Sequence, residues 1–349
     1  MACLSVRVVR TRPLSRNIIS GIQGWTKTTS FSLSLSSRLT SARSSSSAAA
    51  GKMQVDLSGI YPPIVTPFNA DETIAYDKLQ QNMERWNKIP FRGYVVQGSN
   101  GEYVYLREDE RVELVRRVSE MAGKDKLIVA GAGCESTRDT IAMCEKMAGA
   151  GAKAVLVVTP CFYKGLMSND ALISHFTKVA DASSVPVILY SVPGNTGIDL
   201  APEVVIQLSA HPNIAGVKDS GGDISKIGYM VHKTKGNNFQ VLAGSASFLL
   251  ASYTVGGVGG VLGLANILGD PCCEVEKLFK AGKLEEAKLL QHRLINPNIM
   301  VTKKLGIPGL KRAMEMLGYY GGPNRSPLQP ITKQNEETLR TVLKDEGFL

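Results

Sequence analysis

Two residues that close short apolar runs have the types and spacing for amine chemistry on a ketone. Lys218 ends Ile214-Ala215-Gly216-Val217-Lys218 before Asp219-Ser220-Gly221-Gly222 turns the chain, and Tyr190 ends Val185-Pro186-Val187-Ile188-Leu189-Tyr190. A lysine held in apolar surroundings disfavours its charged form, which supplies the neutral amine that attacks a carbonyl. A phenol at a comparable strand end is placed to give and take the proton that such chemistry moves. A solvated lysine and a tyrosine used only for packing are the ordinary alternatives, and neither residue alone decides between them. A third group is Gly98-Ser99-Asn100-Gly101-Glu102, whose glycines let backbone N–H groups face a ligand while Ser99 adds a hydroxyl. Such a nest suits a carboxylate; a plain turn in which Glu102 caps the next helix is the other reading.

The elements that must position these groups recur at intervals of about thirty residues, short apolar runs alternating with segments of helical period. Eight runs are expected as strands: Ile60 to Phe68, Gly93 to Gly98, Leu127 to Gly131, Ala154 to Thr159, Val185 to Tyr190, Ile214 to Lys218, Gln240 to Gly244 and Gly259 to Leu264. Helices are expected over Tyr76 to Asn87, Arg107 to Met121, Thr137 to Ala150 and Asn169 to Asp181, with Ser136, Ser168 and Asp223 as caps. Eight near-continuous hydrophobic runs fit an α/β fold closed as a (β/α)8 TIM barrel over residues 56–269. Beyond that, residues 270–349 show only helical patterns, at Glu274 to Ala281, Leu284 to Leu294 and Glu336 to Lys344, and are expected to form a C-terminal helical extension. In such a barrel chemistry belongs at the carboxyl ends of the strands, where Lys218, Tyr190, Ser99, Ser220 and Gly244 all fall. The Gly256-Gly257-Val258-Gly259-Gly260 cluster precedes a strand, whereas a dinucleotide loop follows one, so close packing explains it better.

Composition narrows the function classes. The chain of 349 residues has a formal charge of +9, but residues 1–55 hold eight basic residues and no acidic one. Arginine-rich, serine-rich and acid-free, that stretch reads as a mitochondrial transit peptide and linker, with arrival in the matrix expected. Without it, 32 basic residues stand against 31 acidic, a charge of +1, which gives no support for nucleic-acid binding. No stretch approaches a membrane span. Cys134, Cys144, Cys161, Cys272 and Cys273 have no metal-ligand spacing, and the histidines are scattered, so no metal site is expected.

The segments Gly98-Ser99-Asn100-Gly101-Glu102, Tyr190-Ser191-Val192-Pro193 and Gly216-Val217-Lys218-Asp219 resemble three signatures of the dihydrodipicolinate synthase and N-acetylneuraminate lyase family of class I aldolases. The resemblance spans roughly residues 56 to 320. Within the family it is greatest to members that cleave 4-hydroxy-2-oxoglutarate to pyruvate and glyoxylate, through Val96 to Glu102, Tyr190 to Gly197, Lys218 to Asp223 and Gly318 to Pro323. It implies a homotetrameric carbon–carbon lyase that uses no metal or organic cofactor, with a small 2-oxo acid as substrate. Lys218 matches the Schiff-base lysine, Tyr190 the acid/base, Ser99 and Asn100 the carboxylate-binding turn, and Ser220 and Gly244 further substrate contacts. Asn195 stands where the synthases resemble one another in an arginine that holds their amino-acid aldehyde. The far carboxylate is therefore expected to rest on neutral donors, Asn195, Ser220 and the Gly244 backbone. The family's relay tyrosine, reaching in from an adjoining subunit, aligns with Phe162, and Tyr163 one position on is the candidate in its place. Another pyruvate lyase of the family, a phosphate-binding isomerase on the same fold and a non-catalytic barrel are the rival readings.

Overall fold

The computed structural model describes residues 55–349, so the leader expected over residues 1–55 lies outside them save for Val55. Among the described residues the sheet has eight strands. They are β1 (Gly59–Tyr61), β2 (Gly93–Val96), β3 (Leu127–Gly131), β4 (Ala154–Val158), β5 (Val187–Ser191), β6 (Ile214–Asp219), β7 (Gln240–Ala243) and β8 (Gly259–Val261). All pairings are parallel, in the order β1-β8-β7-β6-β5-β4-β3-β2. A parallel bridge between Pro63 and Val95 joins the segment after β1 to β2, with Ile64 N donating to Val95 O at 2.9 Å, and closes the sheet. The result is a (β/α)8 barrel. The first expected strand, Ile60 to Phe68, pairs as β1 only through Tyr61, because Pro62 and Pro63 offer no N–H to a ladder.

Helices return the chain between strands: α1 (Tyr76–Trp86), α2 (Glu108–Met121), α3 (Thr137–Gly149), α4 (Asn169–Ala182), α5 (Pro193–Thr196), α6 (Pro202–Leu208), α7 (Ile224–Thr234) and α8 (Leu249–Thr254). The expected caps are present, since Ser136 Oγ accepts from Asp139 N at 3.0 Å, Ser168 Oγ from Ala171 N at 3.2 Å and Asp223 from Lys226 N at 3.1 Å. Each satisfies a first-turn amide that would otherwise lack a partner. After β8, α9 (Gly269–Lys280) packs against β1 in the place of the eighth barrel helix. The helices α10 (Leu284–Ile299), α11 (Gly306–Met316) and α12 (Lys333–Asp345) follow as the extension. Between α10 and α11 lies a π-helical turn, Met300–Lys304, three residues past Pro297. Gly306, at φ +60°, begins α11 in a conformation that side-chain-bearing residues rarely adopt.

Two apolar layers follow from the period of two along each strand. On β5, Val187 and Leu189 face the helices in the outer core, while Ile188 and Tyr190 face the lumen with Tyr61, Val95, Val129, Leu156, Leu242 and Val261. The barrel interior is therefore filled with side chains, and open space remains only at the mouth. Two residues on from Ile188, the same alternation sets the Tyr190 ring at the upper rim of that filling.

Candidate active site

Register brings the two sequence candidates side by side, Tyr190 on β5 pairing with Lys218 on β6. Both are buried, and Lys218 Nζ lies 4.0 Å from the centroid of the Tyr190 ring. Tyr190 OH meets Ser99 Oγ at 3.4 Å. Burial alone would push the Tyr190 phenol up, but the Lys218 charge, with hydrogen bonds to Ser99, Lys218 and Ser220, holds it below its ordinary value. A phenol so placed gives up its proton more readily than one in water, so the phenolate that can act as a base is within reach.

Opposite the pair stands the Ser99–Gly101 turn. Gly101 N and Glu102 N close it onto Gly98 O and Ser99 O, while the Ser99 and Asn100 amides have no acceptor among the described residues. Two non-glycine residues with positive φ flank it, Gln97 at +69° and Glu102 at +55°. Such backbone persists only where surroundings hold it. Buried Arg111 does so on one side, donating from Nε to Gln97 Oε1 at 3.1 Å and from Nη2 to Gly131 O at 3.0 Å. On the other side Glu102 pairs with Lys311 of α11 at 2.6 Å, both fully buried, and accepts from Arg325 N at 3.1 Å. Burial pushes the Lys311 amine down against the opposing pull of Glu102.

Behind Lys218 a second ion cluster, in which Asp219 and Lys226 are buried and Asp199 is exposed, fixes the end of β6. Lys226 Nζ sits 2.9 Å from Asp219 and 2.5 Å from Asp199. Asp219 also accepts from Gly221 N at 2.8 Å, and Asp199 from Ser191 Oγ at 3.0 Å, so the turns after β5 and β6 are tied together. Burial works against the charge on Lys226, but the two carboxylates outweigh it and raise its pKa. At β7, Gly244 carries no Cβ because Ser220 occupies the space: an added carbon would lie 2.1 Å from Ser220 Oγ and 2.7 Å from Asp219 O.

These groups surround a cavity of about 540 Å³ at the carboxyl mouth of the barrel. Seven of the sequence candidates line it: Lys218, Tyr190, Ser99, Asn100, Ser220, Gly244 and Asn195. Tyr163 does not; it stands 68% exposed on the loop after β4, edge-on to Phe162 with ring centroids 5.0 Å apart. Strand-end reasoning missed the wall formed by Thr302, Lys303, Gly306 and Ile307, which comes from the extension. Pro297 inside a helical pattern and the glycines around Ile307 were the available signs that the helix is interrupted there. Lys303 adds a cation to a lining that also holds the neutral Asn195, Ser220 and Gly244. A larger cavity of about 910 Å³ lies against α9 and α10 near Pro90, which precedes β2, hence on the amino-terminal side and away from this chemistry.

A parallel barrel whose mouth sets a buried amine against a phenol, across from a turn of free amides, has the layout of a Schiff-base carbon–carbon lyase. The chain belongs to the dihydrodipicolinate synthetase family, whose model matches residues 56–346. It is 34% identical over 292 residues to a protein of Emericella nidulans named "Probable 4-hydroxy-2-oxoglutarate aldolase, mitochondrial", covering 82% of this chain and 94% of that one. It is 35% identical over 286 residues to a 4-hydroxy-tetrahydrodipicolinate synthase of Methanothrix thermoacetophila, covering 82% and 95%. Among solved structures, dihydrodipicolinate synthase of Bacillus anthracis superposes with a TM-score of 0.80 at 28% identity, covering 83% of this chain and 99% of that one. The Acinetobacter baumannii enzyme complexed with pyruvate does so with a TM-score of 0.80 at 29% identity, covering 84% and 100%.

Proposed function

We propose that the protein is a mitochondrial class I aldolase that cleaves 4-hydroxy-2-oxoglutarate reversibly to pyruvate and glyoxylate. The observation that carries the reading is the Lys218–Tyr190 pair, buried side by side and facing the Ser99–Asn100 turn across one cavity. The substrate's first carboxylate rests on that turn, which presents its ketone to Lys218. The neutral amine attacks C2, and loss of water leaves a protonated imine. Tyr190, a phenolate once its own proton has gone to the departing water, takes the proton of the 4-hydroxyl, the C3–C4 bond breaks, and its electrons flow into the imine to form an enamine as glyoxylate departs. Protonation of the enamine at C3 and hydrolysis release pyruvate and restore the amine. The iminium keeps a positive charge beside the phenol, so the influence that lowers the Tyr190 pKa persists through the step in which it acts as base. The imine is itself the electron sink, so the reaction needs no metal or organic cofactor.

Asn195, a neutral lining residue, supports this substrate over the amino-acid aldehyde of the synthases. The acid-free leader and the name of the Emericella relative support the mitochondrial matrix. Association as a homotetramer fits the loop after β4, which leaves Phe162, Tyr163 and Leu166 at least two-thirds exposed, an apolar surface that a neighbouring subunit would cover. Tyr163 would enter the proton relay only across that contact. The 35% identity to the Methanothrix synthase favours a second reading, condensation of pyruvate with an amino-acid semialdehyde. Two measurements decide. Borohydride with pyruvate should add one three-carbon unit per subunit at Lys218, and label on any other lysine would overturn the imine. Pyruvate release from 4-hydroxy-2-oxoglutarate, coupled to lactate dehydrogenase, should far exceed consumption of pyruvate with aspartate semialdehyde; the reverse ranking would select the synthase.

A further inference from the structure

The cavity at the barrel mouth is lined by two lysines, Lys218 and Lys303, and by no aspartate or glutamate. Lys303 is exposed and takes part in no salt bridge among the described residues, whereas Lys277, Lys280, Lys283 and Lys288 on or beside the preceding helices each pair with a nearby glutamate. Its backbone is not loose. It lies on the π-helical turn Met300–Lys304, whose first two residues are buried and whose Thr302 Oγ1 donates to Asn298 O at 2.6 Å. Asn298, fully buried, donates in turn to Ser245 Oγ at 2.8 Å and Ser247 Oγ at 2.7 Å, on the loop after β7. Thr302 and Asn100 meet across Gly263, where an added Cβ would lie 3.3 Å from Thr302 Cγ2 and 3.4 Å from Asn100 Nδ2. The turn is thus bolted to the wall of the site and delivers one uncompensated ammonium to it. π-Helical turns are often found at functional positions.

We propose that Lys303 is the specificity-determining residue that binds the distal carboxylate of a dicarboxylic 2-oxo acid. The inference rests on the Schiff-base reading of the site. The Ser99–Asn100 amides take the carboxylate next to the ketone, Lys218 takes the ketone, and the second negative charge meets the second cation. Arginine is absent from this wall, so recognition comes from a point charge on a long flexible stem rather than from a planar fork. Monocarboxylic 2-oxo acids then enter without using Lys303, and dicarboxylic ones gain from it.

The test separates this role from the identity of the physiological substrate. Borohydride trapping at Lys218 is measured with pyruvate, with 2-oxopentanoate and with 2-oxoglutarate, which has the second carboxylate but no 4-hydroxyl and so forms the imine without being cleaved. In Lys303→Met the half-saturating concentration of 2-oxoglutarate should rise roughly tenfold, as expected for loss of one charge-assisted contact, while those of pyruvate and 2-oxopentanoate stay unchanged. Lys303→Arg should recover most of the loss, and Lys304→Met, on the same turn but outside the cavity, should behave as the parent. Added salt should weaken 2-oxoglutarate trapping in the parent and not in Lys303→Met. An unchanged 2-oxoglutarate value in Lys303→Met, or an equal loss for pyruvate, would overturn the inference. Normal 2-oxoglutarate trapping without cleavage of 4-hydroxy-2-oxoglutarate would instead remove the proposed substrate and leave Lys303 in its role. No trapping of pyruvate at all would remove both.

Discussion

In the proposed reaction the Tyr190 phenol, buried against the Lys218 amine, moves protons. Tyr190→Phe keeps the ring, its packing with the lumen residues and its contact with Lys218, and removes only the hydroxyl that meets Ser99. We expect kcat to fall by roughly two to four orders of magnitude while the melting temperature stays within a few degrees. A variant that failed to fold would return Tyr190 to a packing role. Gly244 is tested by Gly244→Ala, because the new methyl carbon would overlap Ser220 Oγ and crowd the Asp219 carbonyl. Neither neighbour has room to retreat without disturbing the turn after Lys218, so kcat/KM should drop at least tenfold even though the substitution adds one carbon. Unaltered kinetics in Gly244→Ala would mean that Ser220 moves freely and does not shape the site.

At the scale of elements, the question is what keeps the ends of β5 and β6 together. The Asp199–Lys226–Asp219 cluster spans α7 and both turns, and its Asp219 carboxylate is almost wholly shielded from water. Replacing Lys226 by methionine keeps most of the stem but leaves Asp219 buried without its cation. Removing one member of a buried pair costs roughly 3 kcal/mol or more, which for a chain of this size lowers the melting temperature by about 5–10 °C. Calorimetry of Lys226→Met checks this, and an unshifted transition would show that Asp219 is held by its other hydrogen bonds. The cluster also explains why Lys218 can stand buried without a carboxylate of its own, since the acidic residue next to it in sequence is already engaged.

For the whole molecule, the acid limb of stability has an identifiable contributor. His175 of α4 is buried beside α3, with Thr137 Oγ1 2.9 Å from its Nδ1 and no partner for Nε2 among the described residues. Burial pushes its pKa down to about 4, a shift that Glu135 only partly opposes. The folded state thus refuses a proton that the unfolded chain accepts below about pH 6.5. Stability from this group is fully present above that pH and is lost as the pH falls toward 4, by up to ~3 kcal/mol. His175→Asn should flatten the decline between pH 6.5 and 4.5 in urea titrations. An unaltered slope would place the acid sensitivity elsewhere.

Local signals in the chain determined a good deal of this. The eight β/α repeats are legible because a strand buried on both faces must be apolar throughout and a covering helix must alternate, and both patterns lie within a few residues of one another. Ser136, Ser168 and Asp223 are legible as caps for the same reason, and so are Lys218 and Tyr190 as polar ends of apolar strands. What lies in contact across the barrel is not written locally. Tyr190 meets Lys218 because of register, Gln97 holds its unusual backbone because Arg111 of α2 reaches it, and Glu102 is paired by Lys311 of α11 where sequence suggested a cap. Above all, Lys303 reads as one more solvated lysine until an interrupted helix folds back over the mouth. The strand ends could be assigned because hydrophobic burial acts along the chain, whereas the second cation of the site is set by packing between segments far apart in it, which only the tertiary structure decides.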